Sequence, residues 1–332
     1  MNRREEILAL LSGQRPERPP CFSGLIHVTA EGLASAGLKL HEVHPDAGKM
    51  ARAAASTFRL AGFPSAGVPL DLCVEAEALG AEVDFRADST RLELPRVARP
   101  LFASSEHVNS LHAGDGRVPL VCESIDLLRK DIGEEVVIGA FVPGPFTLLS
   151  LLVRPEALML DLMRNPVSVH AALEIMAEGV IRSGLAYQQA GADMLTVHEM
   201  GGSPGVLGPK RFEAFVLPAL QKVLAALPRP RVLSVCGNTN AAMPLLAQAG
   251  AEALSVDQLN DIASSRAALP EALLFGNLDP VGVLTNGSPD AVRQAASAAV
   301  AAGVDAIWPG CDLYPLTPVE NLKAMVSMAQ NS

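Results

Sequence analysis

An α/β fold built as a parallel β/α barrel is the architecture this chain predicts, on three observations. Over the C-terminal two-thirds, short apolar runs alternate with longer helical patterns, the signature of strands joined by crossover helices. Glycines stand where a helix must turn into the next run, as in Ala190-Gly191-Ala192-Asp193 and Ala249-Gly250-Ala251-Glu252. Thiol and polar residues gather where the apolar runs stop, which in a barrel is one shared mouth. The 332 residues are 49% hydrophobic and only 4% aromatic, so the core rests on Ala, Val and Leu, enough for one large barrel or for two domains.

In chain order, the first dozen residues place a short apolar stretch after two arginines and interrupt it with Glu5 and Glu6, which predicts an amphipathic helix rather than a signal peptide. A Pro-rich turn at 15–20, an apolar run at 21–28 and a helix at 46–60 follow. The stretch 82–111 is charged, alternating and interrupted by Pro, and reads as a hairpin and linker inserted in the barrel. Strands are predicted at 136–142, 193–197, 231–235, 253–256, 272–275 and 305–308, with helices at 166–189, 209–226 and 289–302 among them. No fixed-period repeat or low-complexity segment interrupts this order, so a single domain over 1–332 is expected, its first 60 or so residues an N-terminal elaboration.

Charge and cysteine usage narrow the function. The net charge of −10, with no run of Lys or Arg, argues against a nucleic-acid surface and against an anionic membrane partner. No stretch reaches the roughly 18 uninterrupted apolar residues of a membrane span. The five cysteines form no CxxC pair, and a chain this long needs no disulfide framework, which fits a reducing cytoplasm. Small-molecule or protein partners remain.

The residues at the ends of the predicted strands carry the chemistry. Val197 is followed by His198 and Glu199, Val235 by Cys236, Val256 by Asp257, Phe275 by Gly276, Asn277 and Asp279, and Trp308 by Cys311. Two thiolates with an acid or an imidazole are a donor set that zinc prefers. Each residue also has a plainer role: cysteines as small core hydrophobes, His198 and Glu199 as a hydrogen-bonded pair, Asp257 as a helix cap, and Gly276 to Pro280 as a self-bonded loop. Cys21, Cys73 and Cys122 read as core packing, and His41 and His44 as exposed loop residues.

The stretch 62–80 with its Val-Glu-Ala-Glu-Ala-Leu-Gly ending, Gly144-Pro145-Phe146-Thr147, Ser203-Pro204, Cys236-Gly237-Asn238-Thr239, Gly276-Asn277-Leu278-Asp279-Pro280, Pro309-Gly310-Cys311 and the stretch 317–322 together resemble the uroporphyrinogen decarboxylase superfamily, more narrowly its methylcobamide:coenzyme M methyltransferase branch. The resemblance runs from about Asn2 to Met328. It implies a single eight-fold β/α (TIM) barrel and a corrinoid-dependent methyltransferase, whose mouth accepts the methylcobalamin of a small carrier protein. It also implies a zinc ion that activates the small-molecule acceptor, a thiol such as coenzyme M. The implied ligands are a His-x-Cys pair and a distant Cys. Cys236 and Cys311 match the two cysteines, but Ser234 stands at the histidine position, and a serine hydroxyl is a poor zinc ligand. Asp257 and His198 are the candidate replacements on the same mouth. Glu199, Asp257 and Asp279 are expected to orient or deprotonate the acceptor, which leaves tetrahydrofolate open as an alternative to a thiol. His198, Asn238 and Asn277 are expected to contact the cofactor.

Two other readings come from the same residues. A tetrapyrrole decarboxylase shares the barrel, but that branch carries an N-terminal Arg-Gln-Ala-Gly-Arg stretch where this chain has Gly24 to Thr29. Without clustered Arg donors, a substrate with many carboxylates lacks its counter-charges. A non-catalytic homologue that binds a corrinoid or its carrier is the third reading.

Overall fold

The computed structural model describes residues 2–89, 91–108 and 114–329. Seven parallel strands stand side by side in chain order: β1 (Ser65–Val68), then β4 (Val137–Pro143), β5 (Met194–Glu199), β6 (Arg231–Val235), β7 (Ala253–Val256), β8 (Leu273–Leu278) and β9 (Ala306–Pro309). Helices lie between them, among them Ala47–Ala61, Pro166–Gln189 and Pro289–Ala302, close to where periodicity places them. The expected hairpin is present as β2 (Val83–Asp84) paired antiparallel with β3 (Arg96–Val97); the linker positions 109–111 lie outside the described residues. Gly191 and Gly250 have φ of 109° and 91°, the left-handed turn that Gly makes at low cost.

The ring closes through residues 20–27 as an eighth stave. Ile307 donates its N–H to the Pro20 carbonyl at 2.8 Å, and Phe22 donates to the Ile307 carbonyl at 3.2 Å. On the other side, backbone pairing gives way to side chains: Ser23 N–H donates to Ser65 Oγ at 3.0 Å, and the His27 ring nitrogen Nε2 sits 2.9 Å from the Ser65 carbonyl. Gly24 lets the stave pack against the side chains inside the ring, because a Cβ there would collide with Thr196 Oγ1 and lie 2.8 Å from Met194 Cε. The expected run 21–28 is thus part of the barrel wall. β1, Ser-Ala-Gly-Val, was not among the predicted strands; small residues give it no apolar run, and its burial comes from neighbours.

Strand alternation divides the core in two. Val137, Met194, Val232, Ala253, Leu273, Phe275, Ala306 and Trp308 fill the inside of the ring with Phe22 and Leu25. Ile7, Leu10 and Leu11 of the first helix, Arg3–Leu11, join that inner cluster at the end where the strands begin. An Asn2–Glu5 capping box starts this helix. It plugs the bottom and leaves the strands' C-terminal ends as the mouth. The residues between sheet and helices form the larger outer core, Val142, Leu195, Leu233 and Leu254 among them.

One expectation is overturned at His44. It is fully buried, with Nδ1 2.8 Å from Asp71 Oδ2, and Arg117 donates to both oxygens of Asp71 at 2.8 and 3.0 Å. The reason is tertiary: the loop after β1 folds back over the segment before the helix Ala47–Ala61, and Asp71 needs cations where it is buried. His44 and Arg117 hold the Asp71 carboxyl well below the usual carboxylate range despite burial. Among the described residues no helix is long and apolar enough to cross a membrane.

Candidate metal centre

β5 extends two residues beyond its predicted end, so His198 and Glu199 lie within the strand and not after it. Alternation then sends them to opposite faces. His198 points inward with Met194 and Thr196, while Glu199 turns outward with Leu195 and Val197. The hydrogen-bonded His198–Glu199 pair, the plainer alternative for these residues, therefore does not form.

The inward ring meets the two cysteines. Cys236 leaves the end of β6, and Cys311 follows β9 after Gly310. His198 Nε2 lies 3.9 Å from each sulfur, and the three donor atoms lie within 4.8 Å of one another. The two cysteines are disulfide-bonded in the structure, with Cα atoms 6.2 Å apart. Ligand bonds of about 2.3 Å to sulfur and 2.0–2.1 Å to nitrogen at tetrahedral angles put S and N about 3.6 Å apart, so the observed nitrogen–sulfur spacing is close to that of a shared zinc ion. With the disulfide reduced to two thiols, the donor set fits the metal that the thiols suggest.

His198 and Ser234 are direct register partners across β5 and β6. The imidazole expected at position 234 therefore stands one strand to the side, at the same height in the barrel. Ser234 is buried, and its Oγ has no hydrogen-bond partner among the described residues. Burial pushes the His198 ring below the ordinary histidine range, with the Asp312 carboxyl opposing that shift. A neutral imidazole is the form that binds metal.

The carboxylates and amides singled out from sequence build the loops around this group. Asp257, the other candidate ligand, spends both oxygens on backbone: Oδ2 accepts Gly237 N–H and Oδ1 accepts Leu259 N–H, each at 2.9 Å. It holds the Cys236 loop and lies outside the group of three. Asn260 adds to that clamp, accepting Thr239 N–H at 2.8 Å and donating to the Gly237 carbonyl at 3.0 Å. Asn277 in turn donates to the Asp257 and Asn260 carbonyls at 3.2 and 2.9 Å. Asp279 Oδ1 accepts Val281 and Gly282 N–H at 2.9 and 2.8 Å, the self-bonded loop that was its plainer role. Asn238 is exposed, with Oδ1 accepting from Asn240.

Glu199 is a brace. Its Oε1 accepts Thr147 Oγ1 at 2.6 Å and Gly202 N–H at 2.9 Å, and Oε2 accepts Phe146 N–H at 3.1 Å. It thereby caps the helix Pro145–Leu152, whose own N-cap is Gly144 and has no side chain to do so. A Cβ at Gly144 would collide with this carboxylate. Burial raises the Glu199 carboxyl to about 7. With its oxygens taken and its face turned outward, it is not placed to orient an acceptor at the mouth.

The sequence reading passed over Asp312, whose Oδ2 lies 3.7 Å from His198 Nε2. Its position directly after Cys311 was the available signal. It also passed over the rim. Of ten large hydrophobic residues left exposed among the described residues, Val206, in the short helix Pro204–Leu207, and Leu259, Val281, Tyr314 and Leu316 lie in the segments after β5, β7, β8 and β9. Half of the exposed apolar bulk thus borders the mouth.

The model of the family described as Uroporphyrinogen decarboxylase (URO-D) matches residues 2–332. The chain belongs to the uroporphyrinogen decarboxylase family. Within that family it goes with the methyltransferases, as expected. The chain is 30% identical to the methylcobamide:CoM methyltransferase MtbA of Methanosarcina acetivorans, over 99% of this chain and 97% of that one. A solved methyltransferase from Methanosarcina mazei superposes with a TM-score of 0.92 at 28% identity, covering 99% and 98% of the two chains. The uroporphyrinogen decarboxylase of Trichlorobacter lovleyi is 29% identical over a shorter span, 78% of this chain and 81% of its own.

Proposed function

We propose that this protein transfers a methyl group from a methylated corrinoid, presented by a small carrier protein, to a thiol acceptor at the barrel mouth. The observation that carries this reading is the convergence of His198, Cys236 and Cys311 at the C-terminal ends of three strands of a barrel whose full-length relatives include corrinoid methyltransferases. In their reduced form these residues would hold zinc, which supplies a positive charge that lowers the pKa of an acceptor thiol so that it reacts as thiolate near neutral pH.

The chain's own groups then position the reaction. Asp257 and Asn260 hold the Cys236 loop by its backbone, and Asn277 holds the Asp257–Asn260 turn. The apolar rim of Leu259, Val281, Tyr314 and Leu316 suits the apolar body of a macrocycle and keeps water from the reacting atoms. The acceptor sulfur's electron pair forms the new bond to the methyl carbon. The carbon–cobalt bond breaks with its pair left on the corrinoid, and the thiol proton passes to solvent. The corrinoid supplies the methyl chemistry while the barrel aligns it.

The test is the anaerobic change in visible absorption when the reduced protein meets methylcobalamin with coenzyme M, a second simple thiol or tetrahydrofolate, each with and without a chelator. Demethylation with a thiol, lost with chelator and in Cys236→Ser, is the expected result. Chelator-insensitive turnover with tetrahydrofolate alone would replace the thiol reading. No turnover with any acceptor, from free or carrier-bound donor, would overturn methyl transfer.

A further inference from the structure

We infer that the helix Pro155–Arg164 is a self-association surface, on which a second copy of this chain packs antiparallel about a two-fold axis near Leu160. The inference depends neither on the methyl-transfer reading nor on a metal. It starts from the exposed apolar residues that the rim leaves over. Of the ten among the described residues, the other five are Leu101, Met159, Leu160, Met163 and Val167, and they gather at one place. Three lie on the helix Pro155–Arg164, and Val167 lies in the first turn of the next helix, Pro166–Gln189. Leu101 precedes Phe102, whose N–H donates to the Leu152 carbonyl at 2.9 Å and whose carbonyl accepts the Arg154 N–H at 3.2 Å, beside the start of the same helix. Exposed apolar residues scattered singly need no partner, whereas a cluster bordered by charge marks a contact surface.

The helix has two faces. Leu158 and Leu162 are buried, and Asp161 accepts the Ser105 N–H and hydroxyl at 2.8 and 2.7 Å, which ties the helix to the linker before it. At about 100° per residue, the side opposite Leu158 and Leu162 carries Glu156, Leu160, Met163 and Arg164 together, all of them exposed, with Met159 at its edge. The charges at the two ends of this face select the occupant. Glu156 and Arg164 stand four residues before and four after Leu160, and neither side chain has a partner among the described residues. In an antiparallel pair with Leu160 on the axis, Glu156 meets the partner's Arg164 and Arg164 meets the partner's Glu156, while Met163 falls opposite the small Ala157. A two-fold contact is isologous, so one surface has to complement itself, and this one does so in charge and in size. The same two charges also suit the macrodipole, acid in the first turn and base in the last, a role that needs no second copy. A seam built on one helix about 15 Å long is small for a stable interface, so a Kd in the range of about 1–100 μM is expected.

Sedimentation of the full chain under reducing conditions, from about 1 to 200 μM, tests this with three variants: Leu160→Glu, Glu156→Arg and Arg164→Glu. The wild type is expected to pass from monomer to dimer across that range, and Leu160→Glu to remain monomeric with an unchanged unfolding midpoint. Each charge variant alone sets like charges against each other at both ends of the seam and is expected to dimerise at least tenfold more weakly. Mixed in equal amounts, Glu156→Arg and Arg164→Glu restore opposite charges at both ends and are expected to form a heterodimer with close to wild-type affinity. Mixing separates the two roles, because a macrodipole or folding defect within each chain is not repaired by the other. A wild type that stays monomeric at about 200 μM, a dimer that survives Leu160→Glu, or charge variants that fail to pair when mixed would each overturn the inference. A monomer whose binding to a corrinoid carrier protein is lost in Leu160→Glu would overturn it as well and assign this face to the carrier.

Discussion

At the scale of single residues, the centre depends on which way each side chain leaves its strand. His198 and Ser234 occupy neighbouring staves at one height, so an imidazole can reach the two sulfurs from either. His198→Ala is expected to weaken zinc binding by at least the ~10–100-fold that outer-shell changes cost, and Ser234→His in that background to recover roughly tenfold or more. Chelator competition measures both, and failure of the rescue would show that the two positions are not equivalent. Glu199 is tested through stability. Glu199→Ala strips the acceptor from Thr147, Phe146 and Gly202 in a fully buried place, and a loss of about 1–3 kcal/mol is expected from chemical denaturation. A role in acceptor chemistry would instead leave stability intact and lower turnover.

At the scale of elements, the first helix and the closing stave do what a barrel strand would otherwise do. Ile7, Leu10 and Leu11 are at most 2% exposed and complete the inner core from below. Leu10→Ala is expected to cost about 3 kcal/mol, within the range for buried Leu truncations, while leaving metal affinity unchanged because the site lies at the other end. Equal losses in both would mean that bottom and mouth are coupled. The segments after β5, β7, β8 and β9 carry the apolar rim. Tyr314→Glu with Leu316→Glu is expected to slow demethylation of a carrier-bound corrinoid at least tenfold, with little change in stability, because both side chains are exposed already. Unchanged rates would move the docking surface elsewhere.

At the scale of the whole molecule, buried charge outside the site sets how stability depends on pH. Glu75 accepts the Tyr187 hydroxyl at 2.8 Å, and burial raises its carboxyl to about 7 from an ordinary 4.5. The folded chain therefore keeps a proton that the unfolded chain releases first. Stability falls as pH rises from about 4.5 to about 7 and levels off above that, by on the order of 3 kcal/mol. Denaturant unfolding at pH 5 and pH 8 should show this loss, and Glu75→Gln should remove its share of it while Glu199, also raised to about 7, keeps contributing in the same direction; an unchanged slope would assign the dependence to other groups. The barrel, most of its strands and helices, its glycine turns and its two mouth cysteines were legible in the sequence. Each of these follows from local period, turn chemistry or the point where an apolar run ends. Three things were decided only by tertiary structure. His198 joined the cysteines while Glu199 turned away, because a strand two residues longer than its apolar run settles which face each side chain takes. Asp257, Asn277 and Asp279 became loop supports, because their partners are backbone groups that only folding brings near. His44 was buried against Asp71, because the loop after β1 returns over it. Local sequence records which groups are present, whereas the partners that satisfy them are supplied by contacts distant in the chain.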